Sequence, residues 1–276
     1  LNIEPARDAI RQLFISRIIE AKGLNILQSM TSYKIIPTPL AVLHACELLS
    51  KGTKTQQGRG DLLAVDIGGA TTDVYSMASG EPTVDNTMLK GLPEPWMKRT
   101  VEGDLGMRYS LTHVFEQIPG ADNSENEYMQ QVKAWVELCT ARPDTLAAPG
   151  SEEEKLEEFL GRSAVSMAVE RHCGRIADVF TPLGLMHTQE GKDLMNVPSV
   201  IGIGGVLRNS RRPEEILKGS LYDFMHPECT KPRKPKFYLD QKYIFASMGL
   251  LRSINPELAF ELLDKETVEI GCNATV

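Results

Sequence analysis

The chain has 276 residues, of which 42% are hydrophobic and 24% are charged, a composition typical of a globular protein with one large domain or two small lobes. Its formal net charge is −7, which provides no basic field for a phosphate backbone, so no nucleic-acid partner is expected. The five cysteines are scattered and form no C-x-x-C pair, which favours a reducing cytoplasm over a disulfide framework or a zinc site. No apolar run approaches the roughly 20 residues that cross a bilayer, and no membrane contact is expected.

The N-terminal segment, residues 1–60, is predicted to consist of helices that lead into the main lobe. Apolar residues recur at helical spacing over residues 5–21, and a Pro-Thr-Pro run at 37–39 introduces a second helix at about 40–50. Residues 51–60 are polar and contain glycine, as a surface loop does. The chain begins at Leu1 directly on this patterned segment, and we therefore expect it to be a fragment of a longer protein.

Buried strands are predicted next. Residues 62–66 read LLAVD, a short continuous apolar run that suits a strand covered on both faces. Residues 74–77 and about 82–88 are predicted to follow as the second and third strands of a β-meander.

Helical patterns replace strand signals over residues 96–188, at 107–115, 125–139 and 152–173. Strand character returns at 197–203 and at 236–239, and helices are predicted at 213–218, 243–254 and 256–263. The expected fold is therefore an α/β lobe formed by residues 61–95 and 197–276, with residues 96–196 as a mostly helical insertion subdomain.

A glycine-rich turn follows the first buried strand. The string DIGGATTD at residues 66–73 lies between two predicted strands and so occupies a tight hairpin. Gly68 and Gly69 permit positive φ and close approach of a phosphate, so that consecutive N–H groups can form an anion-binding concavity. Thr71 and Thr72 add hydroxyl groups beside it. The sequence therefore predicts a phosphate-binding hairpin.

Two carboxylates flank the same hairpin. Asp66 precedes the glycines and Asp73 follows the threonines. Oxygen ligands next to a phosphate are what Mg²⁺ requires, usually with retained waters. We therefore predict that Asp66 and Asp73 lie close to a magnesium ion.

Four segments in a fixed order resemble the actin-like ATPase superfamily. The hairpin at 66–73 resembles its second phosphate motif, and SVIGIGGV at 199–206 resembles its adenosine motif. PTPLAVLHA at 37–45 and FASMGLL at 245–251 resemble its two connecting helices, in which small residues allow close packing. The resemblance implies a ribonuclease H-like lobe that binds ATP or ADP with Mg²⁺, and a helical insertion that caps the nucleotide.

The resemblance also implies roles for individual residues. Asp66 and Thr71 are expected to be catalytic, and the strand that contains Gly202 and ends in Gly204 and Gly205 is expected to expose bare backbone to the ribose and adenine. Arg208 follows shortly after these glycines, and its guanidinium could stack on the adenine ring. Nothing in residues 1–60 resembles the superfamily's first phosphate motif. An N-terminal half of the same protein is therefore expected to complete the cleft, and ATPase activity is expected only in the full-length protein.

The residues of several motifs resemble those of the glutamate-mutase-associated MutL family, and the resemblance extends over the whole chain. The matching strings are VDIGGATTDV at 65–74, KRTVEGDLGMR at 98–108 and NIEPAR at 2–7. This resemblance implies a reactivating chaperone for a coenzyme-B12-dependent mutase, and a mutase subunit as its partner. The phosphate hairpin leaves two alternatives open, a fragment of a hydantoinase or oxoprolinase type of enzyme and a filament-forming actin-like protein.

Overall fold

The computed structural model describes residues 5, 6, 9, 10, 12, 13, 17, 35–182 and 184–271 of the chain. The helix predicted over residues 5–21 lies mostly outside the described residues, and the seven of its residues that are described are helical. The helix predicted at 40–50 is confirmed as Thr38–Lys51, with Pro37 at its N-terminal cap position.

The residues that the structure describes form nine strands in two sheets. In chain order they are β1 (Leu62–Ile67), β2 (Thr72–Met77), β3 (Thr87–Lys90), β4 (Met97–Glu102), β5 (Arg175–Thr181), β6 (Gly184–Glu190), β7 (Ser199–Ile203), β8 (Lys236–Asp240) and β9 (Thr267–Glu269). The central sheet has the strand order β4-β2-β1-β7-β8-β9, and the second sheet has the order β3-β6-β5. Strands β1, β7 and β8 are parallel, whereas β2, β4 and β9 pair antiparallel with their neighbours.

The helices in chain order are α1 (Thr38–Lys51), α2 (Leu111–Glu116), α3 (Glu127–Ala141), α4 (Glu152–His172), α5 (Gly205–Asn209), α6 (Pro213–Leu217), α7 (Phe245–Leu251) and α8 (Pro256–Glu266). They cover both faces of the central sheet. Alternate residues of β1 face opposite ways, so Leu63 and Val65 join the core on the α4 side while Leu62 and Ala64 join the core with α1 and α8. A mixed α/β fold is therefore confirmed.

Two predictions about strands are wrong. The meander strand predicted at 82–88 is absent from the central sheet, whose third antiparallel strand is β4, and the nearby β3 pairs with β6 in the second sheet. The expected lack of strands in residues 96–188 also fails, because β4, β5 and the start of β6 lie there. Most residues of these strands are half-buried or exposed, and β4 in particular reads as the polar sequence MKRTVE, so it lacks the apolar pattern that reveals a buried strand.

Helices α1 and α7, the two predicted connecting helices, pack directly on each other. A Cβ atom added to Gly249 of α7 would lie 1.8 Å from the carbonyl oxygen of Ala41 in α1. Only glycine allows this distance between the two backbones. In the part of the chain that the structure describes, no helix has the length and apolarity needed to cross a membrane.

Candidate functional site

The predicted phosphate and adenosine motifs meet at one edge of the central sheet. Strands β1, β7 and β8 run parallel, with Asp66 beside Ile203 in the register, and so their carboxyl ends lie side by side. A Cβ atom added to Gly204 would lie 2.5 Å from the carbonyl oxygen of Ile67 and 2.7 Å from Oδ1 of Asp66. The carboxyl edge of parallel strands is where α/β proteins bind their ligands.

The carbonyl groups of the hairpin face the segment that joins β4 to α2. Residues 68–70 accept hydrogen bonds at 2.8 to 3.0 Å from four consecutive residues of that segment: the backbone N–H of Met107 to Gly68, those of Arg108 and Tyr109 to Gly69, and the hydroxyl of Ser110 to Ala70. The helix predicted from residue 107 begins only at Leu111, because residues 107–110 form bends and turns in which the N–H groups of residues 107–109 bond to the hairpin.

The amide groups of the hairpin are left open. The N–H of Gly68 donates to the carbonyl of Thr71 at 2.9 Å. The next three, of Gly69, Ala70 and Thr71, donate no hydrogen bond to any residue that the structure describes. Consecutive unpaired backbone N–H groups form a concavity of partial positive charge, which suits an anion.

The two predicted phosphate-binding hydroxyls have different surroundings. Thr71 is half-buried, and its hydroxyl lies 3.3 Å from Oδ2 of Asp73. Thr72 is completely buried, and its hydroxyl donates to the carbonyl of Leu105 at 2.5 Å. The structure therefore places Thr71 beside the open amides, while Thr72 holds the hairpin to the 105–110 segment.

The two predicted metal-binding carboxylates also differ. They face each other in the β1–β2 ladder. Asp73 is neutralised by Arg99 of β4, whose guanidinium nitrogens lie 2.6 and 2.8 Å from Oδ1. Asp66 accepts no hydrogen bond from a described side chain, and burial together with the negative charges of Asp73 and Asp240 raises its pKa to about 6. The free carboxylate of the site is therefore that of Asp66.

The sequence interpretation missed Arg99 and Asp240. Asp240 ends β8 at the same edge, and its buried carboxylate accepts hydrogen bonds from the backbone N–H groups of Ile244 and Phe245 at 3.0 and 3.1 Å. Its position at the end of the strand predicted at 236–239 could have identified it. Arg99 lies in a strand that was not predicted, and we find no sequence signal for its pairing with Asp73.

Residues of the predicted adenosine motif occupy three environments. Gly202 is buried within β7, where the side chains of Leu207 and Leu217 would lie 2.9 and 3.1 Å from an added Cβ. Gly204 has φ of +101° and lets β7 approach β1. Gly205 and Arg208 are exposed, and Arg208 forms no ion pair with a described residue. Gly205 and Arg208 are thus the members that face open space.

Among the residues that the structure describes, no group of three or more His, Cys, Asp or Glu side chains is arranged to hold a metal ion. Asp66 and Asp73 are brought together, but Arg99 and Thr71 already contact both oxygens of Asp73.

Comparison with known proteins gives two findings. The model of the family described as "MutL protein" matches residues 1–267. The chain is also similar to "Protein MutL" of Clostridium tetanomorphum, with 45% identity over 273 residues, which cover 98% of this chain and 59% of that relative. The chain therefore spans less than two thirds of the length of this relative.

Proposed function

The chain belongs to the MutL family, and from this membership and the geometry of the site we propose that it is the nucleotide-binding part of an actin-like ATPase. The observation that carries the proposal is the set of consecutive open amides of Gly69, Ala70 and Thr71, in a hairpin whose first strand Gly204 approaches closely at Ile67. The amides would hold a phosphate group of ATP or ADP, and the adenosine would lie along Gly205 and Arg208.

The donor set fits a phosphate. Backbone N–H groups that are already fixed in position bind an anion without further ordering, and Ala70 at the tip of the hairpin is exposed. The absence of large side chains at Gly68 and Gly69 lets the phosphate approach the backbone.

Magnesium would be held mainly through Asp66. Its carboxylate has no competing hydrogen bond from a described residue, whereas both oxygens of Asp73 are engaged by Arg99 and Thr71. When bound, Mg²⁺ would neutralise charge on the phosphates. With a pKa of about 6 before any metal is bound, Asp66 is mostly ionised at neutral pH, so its carboxylate is available to the ion.

The biological role proposed for the whole protein is the reactivation of a coenzyme-B12-dependent mutase such as glutamate mutase, in the cytoplasm. Closure of the nucleotide site would supply the free energy that loosens the mutase and releases damaged cobalamin. Family membership supports this role. Hydrolysis is assigned to the full-length protein, because charge on the γ-phosphate must be met by donors from both sides of a cleft.

Nucleotide binding can be tested at Gly205. An added side chain there meets nothing closer than Asn209 at 3.9 Å, so the fold should tolerate substitution. We expect Gly205→Asp to abolish Mg-ATP binding by the full-length protein in calorimetry, because it places a negative charge against the nucleotide. Gly205→Ala is the matched control and should bind within a few-fold of the wild type. Unchanged affinity in Gly205→Asp would reject the proposed site.

A further inference from the structure

An arginine of α4 binds the turn that leads into the segment holding the hairpin carbonyls. Arg171 lies in the last turn of α4, and its guanidinium makes four hydrogen bonds. Two of them bind both oxygens of Asp104 at 2.7 and 2.8 Å, one binds Glu102 at 2.8 Å, and one binds Gln117 at 2.6 Å. These contacts connect α4 to the end of β4, to the following turn and to α2.

Asp104 is adjacent in the chain to the residues that touch the hairpin. The carbonyl of Leu105 accepts the buried hydroxyl of Thr72. Gly106 packs so closely that an added Cβ would lie 2.2 Å from the carbonyl carbon of Ala70. At such distances the hairpin cannot keep its position if the turn at 103–106 shifts.

We propose that Arg171 is a positioning residue for the phosphate hairpin. By fixing Asp104 it fixes the 105–110 segment, and that segment turns the carbonyls of residues 68–70 inward, so that the amides of Gly69, Ala70 and Thr71 face the anion. The inference rests on the proposed nucleotide site and adds to it a mechanical connection to α4.

The connection gives α4 a way to regulate the site. Any contact that shifts the C-terminal end of α4 would change the affinity for nucleotide, and bound nucleotide would change the affinity for that contact by the same factor.

A purely stabilising ion pair would behave differently. Arg171 and Asp104 have side chains 37% and 39% exposed, and ion pairs at such positions contribute little to global stability. The loss of Arg171 should therefore affect the hairpin more than the melting temperature. Arg175 provides a matched control, because it is an exposed arginine at the same end of α4 that pairs with Glu170 and Glu228 instead.

The test uses the full-length protein, with Mg-ATP as the ligand in calorimetry. We expect Arg171→Ala to weaken binding roughly tenfold or more through misplacement of the amides, and Arg175→Ala to bind like the wild type. Arg171→Lys should recover only part of the affinity, because an ammonium group cannot contact both oxygens of Asp104 with a planar fork. Without nucleotide, the amides of residues 69–71 should show altered hydrogen exchange in Arg171→Ala and unchanged exchange in Arg175→Ala.

A double-mutant cycle tests whether Arg171 acts through Asp104. Once Asp104→Asn is present, Arg171→Ala should cause little additional loss of affinity, because the two side chains act through one contact. The inference is overturned if Arg171→Ala and Arg171→Lys match Arg175→Ala in affinity and amide exchange while Gly205→Asp still abolishes binding. If Gly205→Asp also binds normally, the nucleotide site itself is wrong.

Discussion

Asp66 links the charge of the site to the stability of the fold. Its pKa is about 6 in the folded chain, against about 3.9 for an aspartate in an unfolded chain. Between these values the folded chain binds more protons than the unfolded chain does. The free energy of unfolding therefore falls as the pH rises from about 4 to about 6, and the loss remains at neutral pH.

Replacing Asp66 should restore the stability lost above pH 4 and should also remove the proposed ATP hydrolysis. We expect Asp66→Asn to raise the free energy of unfolding at pH 7.5 by up to roughly 3 kcal/mol, and to remove most ATP hydrolysis from the full-length protein. Urea unfolding at pH 4.5 and 7.5 measures the first effect. Asp73→Asn is the control and should lower the free energy of unfolding, since it leaves Arg99 without its carboxylate partner. A variant less stable than the wild type at pH 7.5 would contradict the expectation for Asp66.

The two adjacent glycines of the proposed adenosine motif should respond differently to the same substitution. Gly204 has φ of +101° and no room for a Cβ beside Ile67, so Gly204→Ala should lower the free energy of unfolding by about 2 kcal/mol or more. Gly205 has open space around it, and Gly205→Ala should change the free energy of unfolding by less than about 0.5 kcal/mol. Urea unfolding of both variants measures the two effects. Equal effects would show that Gly204 does not approach Ile67 as closely as described.

At the level of elements, the sequence predicts those whose burial leaves a pattern. Strands β1 and β7 are buried apolar runs, and α1, α3 and α4 begin at recognisable proline, asparagine or serine signals. Strand β4 leaves no such pattern, because MKRTVE is only half-buried and its place in the sheet depends on pairing with β2.

The same reasoning explains which parts of the site were predicted. Asp66, Gly69 and Thr71 are adjacent in the chain, so a local motif identifies them. The pairing of Arg99 with Asp73 depends on strand order, and the hold of Arg171 on Asp104 depends on how α4 packs. Long-range contacts of this kind are a property of the tertiary fold and not of local spacing.

The crossing of α1 and α7 should tolerate no added atom. In Gly249→Ala the new methyl group would overlap the carbonyl of Ala41, so the helices must separate, at a cost of about 1 to 3 kcal/mol. The melting temperature should fall accordingly. Gly103→Ala is the control, because an added Cβ there meets no atom within 4 Å. If the two variants melted alike, the helices would not be in the contact described.

Over the whole molecule, a buried lysine joins the two sheets. Lys192 follows β6 of the second sheet and donates hydrogen bonds to Ser76 of the central sheet and to the carbonyl of Trp96, at 3.1 and 2.6 Å. Burial, with the nearby charge of Lys98, lowers the pKa of Lys192 to about 7. The unfolded chain keeps the lysine protonated up to about pH 10.4. The free energy of unfolding should therefore rise with pH between about 7 and 10.

Lys192→Met should flatten this slope. The variant loses the buried cation, so its free energy of unfolding should vary less between pH 7 and pH 9.5 than that of the wild type, even if the lost hydrogen bonds lower both values. Denaturant titrations at the two pH values, at constant ionic strength, provide the measurement. Lys155→Met serves as the control because Lys155 is exposed on α4. Parallel pH profiles for Lys192→Met and the wild type would refute this account of the buried lysine.

The one-sided polarity of the hairpin has a consequence for the order in which ligands arrive. Because the carbonyls of residues 68–70 are engaged by residues 107–110, the tip of the hairpin presents mainly N–H donors to an incoming ion, and these repel a cation. Asp66 alone should bind hydrated Mg²⁺ only weakly, because this ion is reluctant to lose its water ligands. Free Mg²⁺ should therefore not bind at the site, and a titration with MgCl2 alone should give no binding heat. The metal would enter already chelated by the nucleotide, and it would leave with the product.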